Sequence, residues 1–202
     1  GDCIHCARYL PLLVAQGARV VVECRKALFR LFESIPGIEL ILPDQKPPEF
    51  DFHAGIMSLP MLFGTTLRNV PNIVPYLQAP PDLKERWQKL GLHTWPKPRI
   101  GFVFRGARFQ DNNRHRSCTL KDLQPVLDIP GLTFTCLQKE LTAQDRESLR
   151  SMAHIHVLEE QLHDFANTAA VIEDLDLVIT VDTSVAHLAG ALRGWLGAAR
   201  AF

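Results

Sequence analysis

An aspartate, two hydroxyls and a histidine follow directly on an apolar run: Asp182, Thr183, Ser184 and His187, after Leu177 to Val181. The run is β-branched and fit for a buried strand, while SVAHLAGAL from Ser184 to Leu192 has helical spacing. Where a strand ends and a helix begins, the first backbone N–H groups and the positive end of the helix dipole lie beside the connecting residues. Such a place receives phosphate. Asp182 can accept hydrogen bonds from sugar hydroxyls, and His187 faces the same end one turn in. Thr183 or Ser184 can also cap the helix, so the run reads equally as a plain cap followed by a helix-face histidine.

Two other strand ends deliver polar groups. After RIGFVF (Arg99 to Phe104) stand Arg105, Arg108, Asn112, Asn113, Arg114, His115 and Arg116. After LTFTCL (Leu132 to Leu137) stand Gln138, Lys139 and Glu140. Arg114 and Arg116 could fork onto a pyrophosphate; a solvated basic loop is the alternative. Lys139 could neutralise a leaving diphosphate or simply hang from its strand end. Glu159, Glu160 and the cluster Asp145, Arg146, Glu147 read as solvated surface. Cys3 and Cys6 have the C-x-x-C spacing of redox chemistry or of half a zinc site. No second pair stands at metal spacing, and two small residues on one helix face is the expectation.

The elements that must position these groups alternate. Helical spacing over Ile4 to Gln16, weakened at Pro11, leads to a strand at Arg19 to Cys24, a helix at Lys26 to Ser34 and a strand at Glu39 to Leu42. Ala54 to Thr66 is placed only loosely, Asn69 to Pro81 is proline-rich and irregular, and Asp82 to Leu90 reads as a short helix. The alternation restarts with strands at Arg99 to Phe104, Leu132 to Leu137, His154 to Leu158 and Leu177 to Val181. Helices at Leu120 to Leu127, Ala143 to Met152, Leu162 to Leu175 and Ser184 to Leu192 separate and follow them. Repeated βα units require parallel sheets covered by helices. The rigid, proline-bearing stretch 93–98 is the expected linker between a first domain, 1–92, and a second, 99–202. In such sheets ligands bind at the carboxyl ends of the strands.

Composition narrows the function classes. Lys plus Arg and Asp plus Glu balance at 22 each, so no overall field attracts nucleic acid, and anion recognition must be local. No apolar run reaches the ~18 residues of a membrane span; peripheral association is left open. Five scattered cysteines suit a reducing cytoplasm better than a disulfide framework. The absence of G-x-G-x-x-G, G-x-x-x-x-G-K-S/T and G-x-S-x-G disfavours dinucleotide-dependent oxidoreductases, P-loop nucleotidases and nucleophile-elbow hydrolases.

The run DLDLVITVDTSVAHLAGAL (Asp174 to Leu192) resembles the signature of glycosyltransferase family 9, the heptosyltransferase-like family. The nearest likeness is to the bacterial branch in which such a domain follows tetratricopeptide repeats. GDCIHCARYLPLL at Gly1, FDFHAGIMSLP at Phe50, NNRHRS at Asn112 and LQKEL at Leu137 are similar to patterns of that branch, in the same order. The resemblance implies an α/β GT-B fold, two Rossmann-like parallel-sheet domains facing a cleft. It implies metal-independent transfer from a nucleoside-diphosphate sugar to a glycan or lipopolysaccharide-type acceptor, with no cofactor. Asp2 would activate the acceptor hydroxyl, and His53 would line the acceptor side. Asp182, Thr183, Ser184, His187 and Gln138 would hold the donor, with Arg114, Arg116 and Lys139 on its diphosphate. The family pattern has a strand and glycine-rich turn before Gly1, and a different continuation after Leu192. Both sheets are therefore expected to lack elements. Two other classes stay open: a module that binds nucleotide or glycan without turnover, and a structural part of a larger repeat protein.

Overall fold

The computed structural model of the protein describes residues 1–106 and 117–192, and the backbone of one further strand at Leu196–Ala198. The architecture is α/β with two parallel sheets. The first helical region is broken into α1 (Asp2–Cys6), a 3-10 turn (Ala7–Tyr9) and α2 (Leu10–Ala15). Pro11 stands in the first turn of α2, where its missing N–H costs nothing. Strand β1 (Val20–Glu23), helix α3 (Lys26–Phe32) and strand β2 (Ile38–Ile41) follow, with Val20 opposite Ile38 in a two-stranded sheet.

The loosely placed stretch contains a 3-10 turn (Ile56–Ser58) and the single turn α4 (Leu59–Leu62). It is pinned to the first helical region. The Tyr9 hydroxyl bonds the Thr65 hydroxyl at 2.9 Å, and Arg8 Nη1 donates to the Pro71 carbonyl at 3.1 Å. Helix α5 (Pro81–Lys89) comes next. Within the expected linker 93–98, Trp95 is half-buried and the other residues are exposed. Leu92 is buried, the Arg99 guanidinium donates to its carbonyl at 3.2 Å, and the Trp95 ring stacks on His156 at 3.5 Å.

The second sheet contains β3 (Arg99–Val103), β4 (Thr133–Cys136), β5 (Ile155–Val157), β6 (Leu177–Thr180) and β7 (Leu196–Ala198), in the order β5-β4-β3-β6-β7. Strand β7 corrects the expectation that the readable pattern closes at Leu192: Val178 on β6 pairs with Leu196. A three-residue strand is too short to show a period in sequence.

Helices α6 (Leu120–Leu127) and α7 (Ala143–Arg150) cover one face of this sheet; α8 (Phe165–Ile172) and α9 (Ser184–Ala191) cover the other. Side chains alternate accordingly. Ile100, Phe102, Phe134 and Cys136 enter the α6–α7 core, while Val103, Leu137 and Val178 enter the α8–α9 core. That second core is continuous with the first half of the chain, because α3 and α5 pack on α8 and α1 packs on α9.

Leu31 on α3 has no exposed surface. Truncating it, Leu31→Ala, should cost about 2–5 kcal/mol. Since the core is shared, the loss should move one urea transition, coincident by circular dichroism and tryptophan fluorescence. Two separate transitions, with only one displaced, would show that the halves fold independently.

Candidate functional site

The residues after β3, β4 and β6 converge on one cleft of about 160 Å³. From the strand ends come Val103, Arg105, Leu137, Gln138, Lys139 and Glu140. The helix starts add Asp164, Phe165 and Thr168 at α8, Ser184 and Val185 at α9, and Ala27 at α3 after β1. Both sheets thus present carboxyl ends to it. Chain order reverses between β3 and β6, so the cleft lies at the switch point where ligands of doubly wound sheets bind.

Much of its polar equipment is already engaged. Arg105 is fixed at both ends: its backbone N–H donates to Gln138 Oε1 at 3.0 Å, and Nη2 pairs with Asp145 Oδ2 at 2.9 Å. The same Asp145 oxygen accepts from the Thr142 N–H at 2.9 Å and completes the capping box of α7. Burial pushes the Asp145 carboxyl up, but the Thr142 hydrogen bonds and the Arg105 guanidinium outweigh it and hold it below the usual range. This corrects the expectation of solvated surface at two positions, since Asp145 is buried and Glu159 accepts from both Arg146 and the Leu141 N–H; Arg146, Glu147 and Glu160 are exposed as expected. Asp164 caps α8 by accepting from the Asn167 N–H at 2.8 Å. Lys139 donates to the His163 carbonyl at 3.0 Å and, among the described residues, is in no ion pair.

Helix α9 differs from α6, α7 and α8, whose N-caps Thr119, Thr142 and Asp164 accept from their own third residues. Thr183 occupies the N-cap of α9, but its hydroxyl is 3.0 Å from the Thr180 hydroxyl and makes no cap bond. The expected capping by Thr183 or Ser184 is therefore not made. The Thr183 side chain accepts from none of the first N–H groups of α9, the Ala186 N–H bonds the Thr183 carbonyl at 3.1 Å, and Ser184 and Val185 of the first turn line the cleft.

The far side of that turn carries the remaining groups. Helix α1 packs on α9 so closely that a Cβ added at Gly1 would lie 3.0 Å from the His187 ring and 3.8 Å from Ser184 Cα. The His5 and His187 rings meet edge-on at 5.1 Å. Burial first, then repulsion from His5, hold His187 below the ordinary imidazole range. Asp182 and Asp2 oppose this, placing both carboxylates within electrostatic reach of the ring.

The structure therefore brings Gln138, Lys139 and Ser184 into the cleft, and Asp2, His187 and Asp182 around the adjoining end of α9. His53 is exposed, with its ring against Phe50 at 5.7 Å, and does not line the cleft. Arg108, Asn112, Asn113, Arg114, His115 and Arg116 lie outside the described residues. Sequence reasoning missed Ala27, Asp164 and Thr168. Asp164 was findable, because an aspartate opening a helical run after a strand is a cap signal.

Comparisons with known proteins add little. No family model matches, and no curated protein matches. Among solved structures, the chain is similar to the E. coli heptosyltransferase WaaC with ADP-2-deoxy-2-fluoro heptose, at 15% identity and a TM-score of 0.40. The match covers 71% of this chain and 42% of that one. A likeness at this level carries no weight for activity. Among the described residues no helix is long and apolar enough to cross a membrane.

For His187 the sign is definite. A folded-state value below the unfolded one means that protonation favours the unfolded chain, so its contribution is complete above about 6.5 and declines as pH falls through the folded value. By NMR, His187 should titrate below about 6.5, and His5→Ala, which removes both cover and repulsion, should raise it. A midpoint at or above the ordinary value would contradict the packing of α1 on α9.

Proposed function

We propose that the protein is a glycosyltransferase, or derives from one, that takes a sugar from a nucleoside diphosphate. The observation that carries this reading is the cleft at the carboxyl ends of the strands, with Lys139 on one wall and the uncapped start of α9 on the other. Helix-start N–H groups, a helix dipole and an ammonium are together a receiver for a diphosphate. The D-T-S-x-A-H-L-A-G-A-L run supports the same reading by its resemblance to the heptosyltransferase-like family.

On this reading 1–92 is the acceptor-side half and 99–202 the donor-side half. Asp182, Thr183, Ser184, His187, Gln138 and Lys139 hold the donor, joined by Arg114 and Arg116. Lys139 and the α9 N–H groups stabilise the charge that develops on the departing diphosphate. Asp2 takes the proton of the acceptor hydroxyl as that oxygen bonds the anomeric carbon and the sugar–phosphate bond breaks toward the diphosphate. The acceptor is a glycan or glycolipid, with His53 on its side. The chemistry places the donor in a cytoplasmic pool of nucleotide sugars.

The cleft volume of about 160 Å³ favours one alternative. It falls below the ~300–1,000 Å³ of typical ligand pockets and suits only part of a nucleotide sugar. The second reading is accordingly a module that binds nucleotide or glycan without turnover.

Two measurements separate these readings. A nucleotide bound only by the folded state, at a hundredfold over its Kd, adds about 2.7 kcal/mol and raises Tm by several degrees. One of ADP, GDP and UDP should do so, and Lys139→Ala and Asp182→Ala should reduce the shift. Donor hydrolysis or transfer should fall about 10²–10⁴-fold in Asp2→Ala, the usual worth of a general base. A Tm shift without Asp2-dependent turnover selects the binding module. A cooperatively melting chain that none of the three nucleotides stabilises refutes the transferase and the nucleotide-binding module.

A further inference from the structure

Helix α1 carries two of the chain's five cysteines within one turn. Both are free thiols, Cys3 exposed and Cys6 buried. Among the described residues no group of three or more His, Cys, Asp or Glu is placed to hold a metal ion, which directs attention to thiol chemistry. Residues i and i+3 of an α-helix have Cα atoms about 5 Å apart, from its rise and radius. That lies within the ~4.4–6.8 Å that a disulfide spans. Their Cβ atoms are about 5–6 Å apart, wider than the ~3.5–4.5 Å a disulfide holds, so closure requires the turn to relax slightly. The element is short, five residues passing directly into a 3-10 turn, and closure has to be accommodated beside the buried Ile4 and the packing of α1 on α9. An isolated helix of that length has no stability of its own to lose.

We propose that Cys3 and Cys6 form a reversible disulfide, entered by thiol–disulfide exchange at the exposed Cys3. The Cys3 thiolate attacks one sulfur of a low-molecular-weight disulfide such as oxidised glutathione. The small disulfide's S–S bond breaks, and one glutathione thiolate leaves and takes a proton from water. Cys6 then loses its proton to solvent and attacks the Cys3 sulfur, expelling the second glutathione. Two protein thiols are oxidised, and one small disulfide is reduced to two thiols.

The second step is the slow one. Burial first, then Asp2 and Cys3, push the Cys6 thiol up, with Arg8 opposing. Tyr76, from the loop over α1, is within electrostatic reach of the same thiol, and His5 lies between the two cysteines. While Cys6 is mostly protonated, its thiolate fraction, and so the closure rate, rises about tenfold per pH unit. Cys24, buried at the end of β1 and within electrostatic reach of Cys3, is the competing partner. The bond would lie in the turn that carries Asp2 against α9. Its effect on transfer rests on the reading of Asp2 above, whereas the chemistry itself does not.

The test is to incubate the full chain with oxidised glutathione at pH 7 and 8, then to follow intact mass and tryptic peptides. Cys3 and Cys6 share the peptide Gly1–Arg8, while Cys24 falls on another. The expected course is a glutathione adduct on Gly1–Arg8, then a form of that peptide two hydrogens lighter, about tenfold faster at the higher pH. Cys6→Ser should stop at the adduct, with Cys6→Ala as a second variant and Tm as the check on folding. Cys24→Ser should close like the parent chain. The proposal is overturned by the absence of any adduct, by an adduct in the parent chain that persists at pH 8, or by a cross-link joining Gly1–Arg8 to the Cys24 peptide.

Discussion

Helix α8 has no face left for water, and much of the molecule follows from that. Every residue from Ala166 to Ile172 is buried, with the second sheet on one side and α3 and α5 on the other. A helix enclosed on all sides must be apolar all round, and it must be slim where its neighbours approach. Ala166, Ala169 and Ala170 supply the slimness. The cap serves its two polar residues in part: Asn167 Nδ2 donates to the Asp164 carboxylate and Thr168 to the Asp164 carbonyl, while Asn167 Oδ1 is buried with no partner among the described residues. The closeness extends past its end. A Cβ at Gly101 would lie 2.5 Å from a Leu175 methyl and 2.9 Å from a Leu137 methyl, so a larger residue on β3 there would force both leucines to shift. Glu173, just beyond α8, accepts the Ala79 N–H at 2.9 Å and pairs with Lys84 at the base of α5. The two halves of the chain are thus clamped through one helix.

That clamp sets where a cleft can exist. With α8 filling the space between the sheet and α3, the open volume is left at its N-terminal end, where α8, α9 and α3 all begin. Helix starts gather backbone donors, so the site is electropositive in its backbone even though the chain has no net charge. The side chains follow a division of labour. Asp145, Asp164 and Gln138 are committed to holding helices and Arg105 in place. Also facing the cleft are the Lys139 ammonium, which donates to the His163 carbonyl, the Glu140 carboxylate and the first turn of α9. On the proposed reading, the ammonium and the α9 N–H groups receive the diphosphate.

Long periodic elements were legible in the sequence. The helix over Leu120 to Leu127 is found within its expected bounds, and the buried strands at β3, β4 and β6 lie within a residue or two of expectation. Each strand's carboxyl end was thereby legible too, and with it Gln138, Lys139 and Ser184. Features fixed by packing at a distance were not legible. Asp145 looks like surface in DRE, yet Arg105, forty residues earlier, draws it inward. The stretch 93–98 reads as a rigid, proline-bearing linker, and nothing in it announces that Trp95 stacks on His156 of a distant strand. Local propensity contains none of these partners.

Helix α1 is the extreme case of that dependence. Five residues cannot hold a helix in water, since nucleation outweighs the few bonds gained. Its order comes from Ile4, which has no exposed surface, and from the face it lays on α9. Asp2, in its first turn, therefore has no position of its own and inherits one from α9. The edge-on contact of His5 with His187 supplies part of that inheritance. Burial keeps the His187 ring neutral-leaning, and a second positive charge at His5 would weaken the contact. On the proposed reading, a base carried by so short an element meets the donor side only while α1 is docked. The geometry of transfer would then be set less by Asp2 itself than by the apolar and imidazole contacts that bind α1 to the start of α9.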